Sequence, residues 1–165
     1  MFTKAVSRSL AAAVAMGALG LASGPASATS ATGNATATIL QQITITPGTA
    51  MAFGTIAPAA AGGAVVLTAA GTIPAVAGFA FAGSPAAGTF TVSGASGQPV
   101  NVTFSSGNTL TGPGTAMPLG SFTSSGAPAT FGASSFTLNV GATLTVNPNQ
   151  TAGSYAGTYT VSVDY

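Results

Sequence analysis

From Thr29 onward the period of this chain is two, and no stretch carries the three-and-four spacing of an amphipathic helix. A period of two puts the apolar side chains on one face of an extended strand and the polar ones on the other. Such a chain buries its apolar half by pairing strands into sheets and packing the sheets face to face. The clearest run closes the sequence, where Tyr155, Gly157, Tyr159, Val161, Val163 and Tyr165 alternate with Ala156, Thr158, Thr160, Ser162 and Asp164. This predicts a terminal strand over 155–165 with one buried face.

Near the other end Ala35, Ala37, Ile39, Ile43 and Ile45 share one parity, while Thr36, Thr38, Thr44 and Thr46 share the other. Gln41 interrupts the apolar face, so a bend or bulge is expected near Gln41 and Gln42. Between the ends lie short candidate strands at 51–56, 64–68, 77–82, 88–93, 100–105, 116–123, 135–140 and 142–147. Turn formers separate them at Pro58, 61–63, 84–85, 97–99, 112–114 and 148–149. Many short strands at this spacing, rich in Val, Thr, Phe and Ile, predict an all-β antiparallel sandwich or barrel. The 23 Gly and 10 Pro make up about a fifth of the chain, below the roughly 25–30% of low-complexity sequences. With 47% hydrophobic residues the chain is expected to fold rather than remain disordered.

Charge is nearly absent. The chain holds two basic residues, Lys4 and Arg8, one acid, Asp164, and neither His nor Cys. General acid–base catalysis needs a group that titrates near neutrality, and a hydroxyl is a weak nucleophile without a base beside it. Zinc and calcium sites need thiolates, imidazoles or several carboxylates. The sequence therefore predicts no enzyme, no metal and no cofactor. Asp164 falls on the polar parity of its run and is expected to be solvated.

Residues 1–28 have the form of an export signal. Lys4 and Arg8 make a basic start, residues 10–21 are apolar, and Ala26-Ser27-Ala28 offers the small residues a signal peptidase accepts before Thr29. The apolar stretch is too short to cross about 30 Å of hydrocarbon. Cleavage there takes the formal charge from +1 to −1, carried by Asp164. No basic surface is left to neutralise phosphates, so no nucleic-acid partner is expected. The resulting organisation is a signal peptide at 1–28, an N-terminal extension at 29–38 and one β-sandwich domain at 39–165. The product is expected to be exported, passing through the periplasm to the cell surface or medium.

The chain resembles the domain of unknown function 4402, a relative of the spore coat protein U-like domains that serve as subunits of archaic chaperone-usher pili. The likeness covers most of the chain after the leader. It is carried by Ile39-Leu40-Gln41-Gln42-Ile43-Thr44-Ile45, by Met51-Ala52-Phe53-Gly54-Thr55-Ile56-Ala57-Pro58 and by Phe90-Thr91-Val92-Ser93-Gly94. The segments at 140–146 and 157–165 carry the rest. Unlike many spore coat U-like subunits, this sequence has no cysteine pair.

The resemblance implies a pilin-type, immunoglobulin-like β-sandwich polymerised by donor-strand exchange, in which the N-terminal extension of one subunit completes the sheet of the next. Its partners would be copies of itself or related subunits, with a periplasmic chaperone and an outer-membrane usher. No small-molecule substrate is expected. On this reading Ala31, Gly33, Ala35, Ala37 and Ile39 line the inward face of the donor strand, and the accepting edge is the terminal strand with Tyr155, Tyr159, Val161, Val163 and Tyr165. The rival expectation is an autonomous secreted adhesion or glycan-binding sandwich that supplies all its own strands.

Overall fold

The computed structural model describes residues 27–165. It divides into two units, Met1–Ala37 and Thr38–Tyr165. In the first, residues 27–37 are exposed and carry no regular secondary structure. The second holds ten strands: β1 (Thr44–Pro47), β2 (Thr55–Ala57), β3 (Gly63–Leu67), β4 (Ala80–Ala82), β5 (Gly88–Ser93), β6 (Asn101–Phe104), β7 (Asn108–Leu110), β8 (Met117–Ser125), β9 (Ser135–Val146) and β10 (Val161–Asp164). Every pairing is antiparallel and no helix occurs among the described residues.

Strand β9 organises the larger sheet, whose order is β1-β5-β9-β8-β7. One edge of β9 pairs first with β5, from Ser93↔Ser135 to Gly88↔Val140, and then with β3, from Leu67↔Ala142 to Gly63↔Val146. The other edge pairs with β8. On one parity of β9, Leu138, Val140, Ala142, Leu144 and Val146 are all buried, so a single strand contributes a stripe to the whole length of the core. Val65 and Leu67 from β3, Val92 from β5, and Met117 and Leu119 from β8 bury beside it.

Two smaller ribbons cover this face. The β2–β4 ribbon packs Ile56 and Phe81 on the Val65, Leu119 and Leu144 end of the core. The β6–β10 ribbon packs Val102, Phe104, Val161 and Val163 on the Val92, Leu138 and Val140 end, with Phe131 fully buried there. The architecture is an all-β antiparallel sandwich, as the two-residue period dictates.

Several strand boundaries differ from those the sequence predicts. The runs at 135–140 and 142–147 form one strand because Gly141 marks a close approach rather than a turn: a Cβ there would run into the Leu67 carbonyl and the Thr68 backbone. Strand β7 was not anticipated, since three residues carry too little pattern. The alternating run over 35–46, with its expected bend or bulge near Gln41 and Gln42, is regular only from Thr44, and residues 27–42 are exposed. The regular part of 51–56 is confined to Thr55 and Ile56 at the start of β2, and that of 155–165 to β10. The alternating side chains of the latter two segments are in place. What they lack is a neighbouring strand on one side.

Candidate functional site

The segments 51–58 and 150–159 form the two walls of an open cleft of about 740 Å³. Each wall is paired on its outer side. Ala52 exchanges two backbone hydrogen bonds of 2.8 Å with Ala86, and β2 continues that contact along β4. Across the cleft, Thr111 N–H donates to Ala156 at 2.8 Å and Ala156 N–H donates back at 2.9 Å. In an antiparallel ladder successive residues direct their backbone groups to opposite edges. Met51 and Phe53 on one wall, and Tyr155 and Gly157 on the other, therefore aim their N–H and C=O groups away from these partners. Those groups have no backbone partner among the described residues.

Leu110, Met117, Leu119, Leu144 and Val146 reach into the cleft from the large sheet. Its walls add Met51, Phe53, Ile56, Tyr155 and Tyr159. The second wall is held by its own chemistry. The Gln150 side-chain amide donates to the Thr115 carbonyl at 2.6 Å, and that of Asn147 donates to the Ala116 carbonyl at 3.2 Å and to Gln150 Oε1 at 3.0 Å. The Tyr155 hydroxyl donates to the Thr151 carbonyl at 2.8 Å. Its ring lies over Gly112 and Gly114, where a side chain would collide with it.

Tyr159 stands at the end of the second wall. Its ring stacks on Phe122 at 5.2 Å and meets Phe90 edge-on at 6.0 Å. Its hydroxyl lies against Gly88, in space that a Cβ at that position would occupy. Burial raises its phenol above the ordinary value. No Asp, Glu, Lys or Arg lines the cleft, and no group of three or more His, Cys, Asp or Glu occurs among the described residues. Chemically the cleft offers apolar surface and, along both walls, backbone groups with no backbone partner. That suits an extended peptide.

The structure divides the terminal residues predicted to accept a strand. Tyr155 and Tyr159 line the cleft, whereas Val161 and Val163 belong to β10, paired with Phe104 and Val102. Tyr165 is further away still: its hydroxyl accepts from Ala95 N–H at 2.6 Å and donates to the Gln41 carbonyl, and its ring packs on Phe131. Of the donor candidates, Ala31, Gly33, Ala35, Ala37 and Ile39 are all exposed, Ile39 at 93%. Ala28 and Thr29, at the expected cleavage point, are exposed as well, while Ala26 lies outside the described residues. The first wall and the cleft floor escaped the sequence reading. Met51 and Phe53 carry the right parity, but parity does not say which strand will be missing a neighbour.

No curated protein and no solved structure matches this chain. A profile of one protein family matches residues 43–165, which include both walls, the floor and every strand of the sandwich. The chain belongs to the family described as domain of unknown function DUF4402.

Proposed function

We propose that this protein is a non-enzymatic structural subunit of a bacterial surface fibre, a fimbria or pilus, or of a coat, assembled by donor-strand complementation. The observation that carries this reading is the cleft. Two strand-like walls are paired on their outer sides and unpaired on the sides that face each other, above an apolar floor. An open sheet edge presents a row of unpaired N–H and C=O groups and is a site for another chain. One inserted strand satisfies both rows and covers the floor.

The N-terminal extension supplies such a strand. Residues 27–42 are exposed, have no regular structure and include the exposed pair Ile39 and Leu40. Covering roughly 300–400 Å² of apolar surface contributes about 8–10 kcal/mol at about 25 cal/mol per Å², before ordering costs. That is comparable with the stability of a whole domain. On this reading the partners are copies of the chain or related subunits, a periplasmic chaperone shields the cleft before assembly, and an usher exports the product to the cell surface.

The test compares the full chain with a form lacking residues 29–38, each produced with its leader. The full chain is expected to give a ladder of heat-labile, detergent-resistant oligomers, and the deletion to give none while remaining chaperone-bound or prone to aggregate. A full chain that is a stable, soluble monomer without any chaperone, and is unchanged by the deletion, would overturn the proposal in favour of an autonomous secreted adhesion or glycan-binding module.

A further inference from the structure

The cleft continues past Tyr159 into a second, shallower section of about 280 Å³. Met51, Gly157 and Tyr159 line both sections, so they form one groove that runs between the same two walls. The sections differ in depth. The larger is lined by Leu110, Met117, Leu119 and Leu144, whereas the smaller is lined by Gly48, Thr49, Thr89 and Phe90. Between them Tyr159 crosses from its wall onto Gly88, where a Cβ would also come within 3.5 Å of Met51 Cβ on the opposite wall. The ring is held there by Phe122 and Phe90. The groove floor therefore steps up at Tyr159, and a strand running along the groove crosses its ring.

The extension has a matching gradient. On one parity it reads Ala31, Gly33, Ala35, Ala37 and then Ile39. Four small positions precede one large one, over a strand of about 26 Å at about 3.3 Å per residue. A groove of uniform depth would favour large residues at every inward position.

We infer that Tyr159 is a size filter in a two-section groove: the extension of a second copy seats Ile39 in the larger section and crosses Tyr159 with its small residues. The inference rests on the donor-strand reading above and adds its register and direction. Ile39 in the larger section and Ala31 beyond the step make the donor run antiparallel to 150–159 and parallel to 51–58. Tyr159 is here a specificity determinant, because it excludes bulky side chains from the middle of the donor.

The chain has no cysteine, so introduced pairs report on register in the full-length protein. Two double variants test the inferred direction: Leu40→Cys with Ala152→Cys at the larger section, and Ala31→Cys with Ala50→Cys at the smaller. Two exchanged pairs, Leu40→Cys with Ala50→Cys and Ala31→Cys with Ala152→Cys, test the reverse. After mild oxidation the first two are expected to give covalent, reducible ladders at least about tenfold stronger than the exchanged pairs, since a disulfide needs Cα atoms within about 7 Å. Ladders from the exchanged pairs, or non-covalent oligomers with no cross-link in any pair, would overturn the register and leave donor-strand assembly standing. Absence of oligomers altogether would overturn both. Ala35→Leu, on the exposed extension, is expected to reduce oligomer yield about tenfold by placing a branched side chain near the step. Wild-type yield from this variant would overturn the filter.

Discussion

Gly88 and Tyr159 show how one residue identity depends on another far away in the chain. Gly88 is buried in β5 opposite Val140, and the Tyr159 hydroxyl occupies the place of its missing side chain. Gly88→Ala is expected to lower stability by about 1–3 kcal/mol, the usual cost of overpacking a filled core. Tyr159→Phe removes the colliding oxygen, leaving the ring carbon at 3.4 Å and Met51 Cβ at 3.5 Å as the nearest neighbours. The double variant should therefore recover most of that loss, a coupling that urea unfolding of all four proteins would measure. Equal costs for Gly88→Ala in both backgrounds would show that the hydroxyl is not the obstacle.

The same phenol gives a pH signature. Its folded-state value is raised above 10.0 by burial, so the unfolded chain ionises first as pH rises. This contribution is complete below about pH 10 and is lost as pH climbs through the folded value. Between about pH 9 and 11 the wild type should lose melting temperature more steeply than Tyr159→Phe. Parallel curves would contradict the buried setting of the phenol.

Among the elements, the second wall of the cleft is tied down by side-chain hydrogen bonds. Asn147 and Gln150 tie it to the Thr115 and Ala116 carbonyls, across a turn in which Asn149 takes a positive φ of 52° that asparagine tolerates better than most residues. Gln150→Ala removes two of these bonds and should cost about 1–2 kcal/mol. The loss should be local. Amide hydrogen exchange in 150–159 is expected to accelerate while β9 keeps its protection, because that strand is paired on both edges. Uniform acceleration across the sandwich would mean that the wall and the sheet open as one unit.

At the scale of the whole molecule, Asp164 is the only charged side chain of the described residues, and it is exposed at the end of β10. Packing and backbone pairing therefore hold the sandwich together, with no contribution from side-chain ion pairs. The chain from Thr29 onward should melt within about 1–2 °C of the same temperature at about 20 and 200 mM NaCl, conditions between which surface ion pairs are progressively screened. A shift of many degrees would show an electrostatic term that the composition does not contain. A nearly neutral surface also favours association over dispersal, and edge strands without charge lack the usual protection against pairing with other chains. Both properties are hazards for a free monomer and suit a subunit whose open groove is filled by the next.

The all-β class, the antiparallel sandwich and the buried parity of Val163 were legible in the sequence alone. Alternation decides which face of a strand is apolar before any partner is chosen, as Leu138, Val140, Leu144 and Val146 show. It also supplied the small-to-large order of Ala31, Gly33, Ala35, Ala37 and Ile39 and the resemblance to DUF4402. Which strands go without a neighbour follows from the assembled sheets. Tyr155 and Val161 read alike in the terminal run, yet one faces the cleft and the other pairs within a ribbon. The reason is physical: side-chain direction follows from the local backbone period, whereas the pairing of a strand edge depends on residues 23 to 63 positions away that bring up a second backbone or leave a gap.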